Sequence, residues 1–388
     1  MSKIIIVGAG IFGVTAALEL RRRGYQVILL DPGPIPHPDA ASTDISKVLR
    51  MEYGSDELYM ELMAQAFAGW DDWNDQWGEP LFHQTGVLML SQGEMLPGGF
   101  EYESYQLFQK RGHAVERMNS SLIRQRFPAW NADRYADGFF NPRGGWAESG
   151  RVVEKLVAEA QALGVQVLPG EQVSQWVQSA ARVVGVETQR GGTILGDHVV
   201  LAAGSWTPHL HPDLREVIWS TAQDVFHFRV PHPADFQPPV FPVWTADIAR
   251  TGWYGFPAGA DGTLKVAHHG PGRHIHPSGP RQVLEDSEPR FRRFFAETFP
   301  SLAQVPRIYS RVCFYADTFD GDFWIDHDPA RPGLLVASGG SGHGFKFAPM
   351  LGGIIADVLE RKPNPFAGRF AWRARAGSKT EDARYSGK

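Results

Sequence analysis

Cysteine is all but missing: Cys313 is the only one in 388 residues. A disulfide within the chain is therefore excluded, and a cysteine-built structural zinc site lacks its ligands. The histidines show no ligand spacing with cysteine or carboxylates, so no metal is expected. No apolar run reaches the roughly 18 residues a transmembrane helix requires. No long basic run occurs, and the formal net charge is −5; nucleic acid and anionic membrane are poor partners for such a chain. Met1 is followed almost at once by the apolar run Ile4–Val7, which leaves no room for a signal peptide and makes a cytoplasmic location the expectation. No internal repeat is visible.

The chain is too long for one small core, which suggests two domains, interleaved or consecutive. Hydrophobic residues at 43% and charged residues at 21% are ordinary for a globular protein. Twelve Trp and 24 Phe give a high aromatic load, in the core or around a pocket; composition does not separate the two.

The N-terminus reads as strand, turn, helix, strand. Ile4–Val7 is a buried-strand pattern, Val14 to Arg23 a helix ending at Gly24, and Gln26–Asp31 a second strand. Between them stands Gly8-Ala9-Gly10-Ile11-Phe12-Gly13. In this setting Gly8 permits the tight turn, Gly10 lets backbone approach a pyrophosphate, and Gly13 lets helix pack close to strand. The helix N-terminus favours phosphate. Asp31, 18 residues after Gly13, would accept hydrogen bonds from ribose hydroxyls. This is a dinucleotide site, and the motif does not separate NAD from FAD.

Downstream, Val199-Val200-Leu201-Ala202-Ala203-Gly204-Ser205-Trp206 is a strand whose small terminal residues allow close backbone approach; alone it reads equally as an ordinary strand-to-turn. Gly339-Gly340-Ser341-Gly342-His343-Gly344-Phe345-Lys346-Phe347 places four glycines in six residues ahead of a helix at about 350–359. Glycines at that density cost backbone entropy unless something must come close. Helical spacing also marks 58–77, with Trp70, Trp73 and Trp77 expected in the core, and 152–163. From about 211 to 317 prolines are frequent and strands look short, as in a mixed or antiparallel sheet. The expected class is α/β: a Rossmann-type nucleotide domain at 1–85, 145–210 and 318–365, interleaved with a substrate domain at 86–144 and 211–317. Residues 373–388 read as a loose tail.

Ser341-Gly-His-Gly-Phe-Lys-Phe347, preceded by Cys313-Phe-Tyr-Ala-Asp-Thr-Phe-Asp-Gly-Asp-Phe-Trp-Ile-Asp326, resembles monomeric sarcosine oxidase and its relatives: N-methyltryptophan oxidase, pipecolate and saccharopine oxidases, and fructosyl amino acid oxidases, or amadoriases. Tyr254-Gly-Phe-Pro257 and Gly262-Thr-Leu-Lys-Val-Ala-His-His269 fit as well, and Ser42-Thr-Asp-Ile-Ser-Lys-Val-Leu-Arg50 is nearer the saccharopine oxidase and amadoriase branch. The resemblance runs to about residue 372. It implies an FAD enzyme, monomeric, that oxidises the C–N bond of a secondary amine in an N-substituted amino acid and gives an imine and hydrogen peroxide. It implies that Cys313 holds the flavin through a thioether. Lys265, which could otherwise be a solvent-facing strand lysine, would lie over the flavin and promote oxygen reduction. Arg50 and Lys346 would bind the substrate carboxylate, a guanidinium gripping it bidentately and an ammonium adding a point charge. Tyr254 and His269 would shape the catalytic pocket. Ser42, Thr43 and Lys47, with Ala203, Gly204, Trp206, Gly340, Gly342, His343, Gly344, Phe345 and Lys346, would border the cofactor; for His343 and for His268 a core or supporting role is the alternative. Flavin does the hard chemistry, so no dedicated base is required. A dehydrogenase passing electrons to another acceptor is the alternative, against which Lys265 stands.

Overall fold

Ile4, Ile5, Ile6 and Val7 face two apolar environments by turns. In the computed structural model, which describes residues 1–387, β1 (Lys3–Val7), α1 (Ile11–Arg22) and β2 (Gln26–Asp31) form the expected unit. Ile4, Ile6, Val27 and Leu29 pack with Val14 and Ala17 of α1 and with Leu351 and Ile355 of the helix Ala348–Leu359. Ile5, Val7, Ile28 and Leu30 pack on the other side against Val173, Val183 and Val186. Both faces are covered, so the strands read as continuous apolar runs. The sheet runs Gln166–Pro169, β2, β1, His198–Leu201, Leu334–Ser338 in parallel, with Trp324–His327 antiparallel at the edge. A three-stranded antiparallel sheet spanning 173–195 covers its second face.

α1 starts three residues ahead of the sequence expectation, because Gly10 already serves as its N-cap. A methyl group on Gly13 would lie 1.8 Å from the carbonyl oxygen of Gly8. Helix and strand touch there with no space between them. Gly13→Ala is expected to lower stability by at least about 1–3 kcal/mol, the usual range for overpacking, seen as a lower urea midpoint; an unchanged midpoint would contradict the contact.

The second large sheet is mixed. Its strands are mostly antiparallel, with Val243–Ala246 and Val87–Ser91 parallel. Two of its strands, Ile218–Arg229 and Arg307–Thr318, are 12 residues each and pair along nearly their whole length, where short strands were expected. The prolines of this region lie outside these two strands, in loops, 3-10 turns and the first turn of the helix Ser287–Thr298. Residues along these strands, and along Thr263–His268, which pairs with Ile218–Arg229, alternate in facing. Leu264 and Val266 join an aromatic core with Phe291 and Phe295 of the helix Ser287–Thr298, whereas Ala267, Cys313 and Tyr315 share the opposite face with Val225 and Tyr254. A small sheet of Lys47–Leu49, Gly145–Ala147 and Phe82–His83 carries the chain from β2 toward Arg50.

Trp70 is fully buried, and its indole N–H donates to the Lys346 carbonyl at 2.7 Å; Trp73 and Trp77 are only partly buried. The segment after 373, expected to be loose, is exposed through residue 380, but residues 381–385 pack against the body of the protein. Ala383 is fully buried, and Arg384 pairs with Asp317 at 2.7 Å with both side chains out of solvent. Its order rests on buried polar pairs, which leave no apolar periodicity in the sequence. No helix among the described residues is long and apolar enough to cross a membrane, and no group of metal-binding side chains occurs among them.

Candidate active site

The turn after β1 builds a cradle of backbone N–H groups. Gly8 has φ +106°, and a Cβ there would stand 2.4 Å from the Ala202 carbonyl; only glycine holds this turn without strain. Ala9 N–H donates to Asp31 Oδ2 and Ile11 N–H to Ser42 Oγ, each at 2.9 Å. Burial raises the Asp31 carboxyl above its ordinary value, against the pull of these N–H groups.

From the cradle a cavity of about 730 Å³ runs between the two large sheets. Gly8, Gly10, Ile11, Phe12, Asp31 and Ser42 line one end, and Ala203, Gly204 and Trp206 border it from the neighbouring strand end. Gly340, Gly342, Gly344 and Phe345 form a further wall, as expected of the glycine-rich loop. Two residues expected at the cofactor lie elsewhere. Gly13 is not on the wall and serves packing alone. Thr43 turns its hydroxyl into its own loop, donating to the His37 carbonyl at 2.5 Å, because that loop must satisfy its own carbonyls.

At the far end stand Cys313, Tyr254 and Lys265, all on the wall. Lys265 donates to Asp44 Oδ2 at 2.7 Å and to the Ser46 carbonyl at 2.6 Å, and its Nζ sits 4.5 Å from the Phe256 ring centre. Burial pushes its ammonium down to about 8, with Asp44 opposing. For Asp44, burial opposes ionisation, but Lys265 and then Lys47 hold its carboxyl well below the usual range. Lys47 Nζ is 3.6 Å from the same carboxylate. The pair is ionised at neutral pH, so a fixed cation faces the cavity.

Arg50, Lys346 and His269 converge beyond Tyr254. Lys346 Nζ donates to the Tyr53 hydroxyl at 2.7 Å. Burial, and then Arg50, hold Lys346 well below its ordinary value. His343 lies on the wall, but both ring nitrogens are engaged, with Tyr53 Oη at 2.9 Å and the Gly321 carbonyl at 3.0 Å. Burial lowers it to about 3; it is a neutral brace. His268 is off the wall, bonded through Nε2 to the Thr251 carbonyl at 2.9 Å and packed on Trp253.

Three site residues were not singled out from the sequence. Tyr315 is two residues beyond Cys313 on one strand, so strand periodicity places both on one face. Asp44 lies inside the Ser42–Arg50 motif, where a carboxylate for Lys265 had a sequence signal. Glu381 had none. It comes from the C-terminal segment, and its carboxylate lies 2.5 Å from Arg50 Nη2 and 2.9 Å from His269 Nε2.

A family model described as DAO, FAD dependent oxidoreductase, matches residues 3–358. The chain belongs to the DAO family. The family's FAD fits what the cavity offers: a cradle in which a Cβ at Gly8 would collide, an acid at the end of β2, and a wall reaching Cys313. Among curated relatives, N-methyl-L-tryptophan oxidase of Yersinia pestis (strain Pestoides F) is 29% identical over 369 residues, covering 93% of this chain and 96% of that protein. Among solved structures, Amadoriase I of Aspergillus fumigatus, a fructosyl amine:oxygen oxidoreductase, superposes with a TM-score of 0.82 at 27% identity over 96% of this chain and 89% of that one. Amadoriase II of the same organism, in complex with FSA, gives 0.84 at 26% identity over 99% and 93%.

Proposed function

We propose that this DAO-family chain is an oxidase of the C–N bond of a secondary amine in an N-substituted amino acid: N-alkyl, pipecolate- or saccharopine-like, or fructosyl. The observation that carries this reading is that Cys313, Tyr254 and Lys265 line the same cavity as Arg50, His269 and Lys346. The relatives named above, an N-methyl amino acid oxidase and fructosyl amine oxidases, support the substrate class.

Bound in the cradle, with Cys313 as its covalent anchor, FAD supplies the two-electron oxidation of the amine and the passage of those electrons to oxygen. Arg50 and Lys346 seat the substrate carboxylate. His269, kept neutral by burial, and Tyr254 close the sides of the pocket and orient the amine. Burial and Arg50 hold Lys346 well below its ordinary value, and positive charge from Arg50 beside the amine disfavours its ammonium and so favours the neutral, reactive form. Lys265 stabilises negative charge developing on oxygen, as preorganised charge does in a water-poor site. The imine then hydrolyses in water.

The test is anaerobic. Holoenzyme is mixed with N-methyl amino acids, pipecolate and fructosyl-glycine, and the flavin absorbance is followed. At least one compound should bleach it, and the carboxamide of that compound should need about 10–100-fold more, the worth of one charged hydrogen bond. If no secondary amine bleaches the flavin, the reading fails.

A further inference from the structure

The seat built for a substrate carboxylate is filled by a carboxylate of the chain itself. Glu381 Oε1 lies 2.5 Å from Arg50 Nη2, and Oε2 lies 2.9 Å from His269 Nε2. Arg50 spends its other terminal nitrogen on the Glu52 carbonyl. The guanidinium therefore has no fork left for a second acid while Glu381 is in place, and two carboxylates at one guanidinium repel.

The segment that delivers Glu381 is fastened to the rim of the cavity. Lys379 N–H donates to the Phe319 carbonyl at 2.7 Å, and Tyr385 N–H to the His269 carbonyl at 3.0 Å. Arg384 reaches the Gly270 carbonyl through Nε at 2.9 Å and Asp317 through Nη1 at 2.7 Å. Asp317 lies near the end of the Cys313 strand, with Phe319 just past it, and His269 and Gly270 lie just past the end of the Lys265 strand, Thr263–His268. The segment thus bridges the two strands that carry the site. Its hold is polar: Ala383 is its one fully buried apolar side chain. Segments held this way open at low free energy compared with a packed core.

We propose that residues 379–385 are a strap and that Glu381 is a specificity-determining residue, its carboxylate standing in for that of the substrate until the substrate's own carboxylate displaces it. The exchange is one anion for one anion at Arg50, so the buried guanidinium is never left unpaired, and His269 is freed of Glu381 to face the amine. An amine without a carboxylate has nothing to offer Arg50 and leaves the strap shut. The proposal rests on the carboxylate-binding part of the reading above.

The probe is acetate, with acetamide as its uncharged control. Titration calorimetry is run on wild-type holoenzyme, on Glu381→Gln, and on a chain ending at Gly377, which keeps the test usable should the point variant misfold. Acetate is expected to bind at least tenfold more tightly without the Glu381 carboxylate, and acetamide equally in all forms. In the wild type, saturating acetate is expected to speed tryptic cleavage after Lys379, as the strap leaves the rim. Equal or weaker acetate binding in the shortened chain, or cleavage indifferent to acetate, overturns the proposal. Neither readout involves an amine, so failure of the oxidase reading would be seen separately in the bleaching assay.

Discussion

Lys265→Met is expected to slow re-oxidation of the reduced enzyme by oxygen about 10²–10³-fold, the usual loss when one preorganised charge or donor is removed from a developing anion. Anaerobic reduction by the amine should change far less, because Lys265 is bonded to Asp44 and Ser46 and not to the carboxylate seat. The variant should fold. Asp44 keeps Lys47 at 3.6 Å, His227 at 3.7 Å and Arg311 at 3.8 Å, so its buried charge is not stranded. The pH dependence follows from the lysine. Its value is pushed down to about 8, so the ammonium is complete below that pH and is lost as pH rises through it. Wild-type re-oxidation should therefore fall above about pH 8, and the methionine variant should show no such fall. Stopped-flow mixing of reduced enzyme with oxygenated buffer measures both. Re-oxidation at wild-type speed in the variant would remove Lys265 from the oxygen step.

Cys313→Ala is expected to release the flavin from the protein on acid precipitation. In the wild type the yellow colour should stay in the pellet. In the variant it should pass to the supernatant, while the native variant remains yellow, since the cradle at Gly8, Asp31 and Ser42 is untouched. The residue is buried on the cavity wall, two residues from Tyr315 on the same strand face, and is the only thiol in the chain. Colour in the wild-type supernatant would show that the attachment is absent and leave a non-covalent flavin.

The nucleotide unit was legible because each of its constraints is local. An apolar strand, a glycine turn and an acid after the second strand sit within about thirty residues, and each demands a particular residue type. Lys265 and Cys313 were legible through motifs, and the strand period explains their placement: Leu264 and Val266 point into the aromatic core, so Lys265 between them must face the cavity. The twelve-residue strands were hidden for a related reason. Ile218–Arg229 is buried along almost its whole length and includes Gln223, Asp224 and His227, so it lacks the polar alternation by which a half-exposed strand is recognised. Thr43 was misassigned because a hydroxyl in a motif can serve its own loop as readily as a ligand. Glu381 was invisible because a carboxylate in a polar terminus gives no sign of its partner, and Arg50 lies 331 positions away.

The most direct test of the central claim is the fate of the electrons. Wild-type enzyme is reduced anaerobically by a bleaching amine, excess substrate is removed, and air is admitted. One hydrogen peroxide per flavin re-oxidised within seconds is the result expected of an oxidase with Lys265 as its oxygen-facing cation. Flavin that stays bleached in air and is re-oxidised only by a quinone or dye would contradict it and make the chain a dehydrogenase.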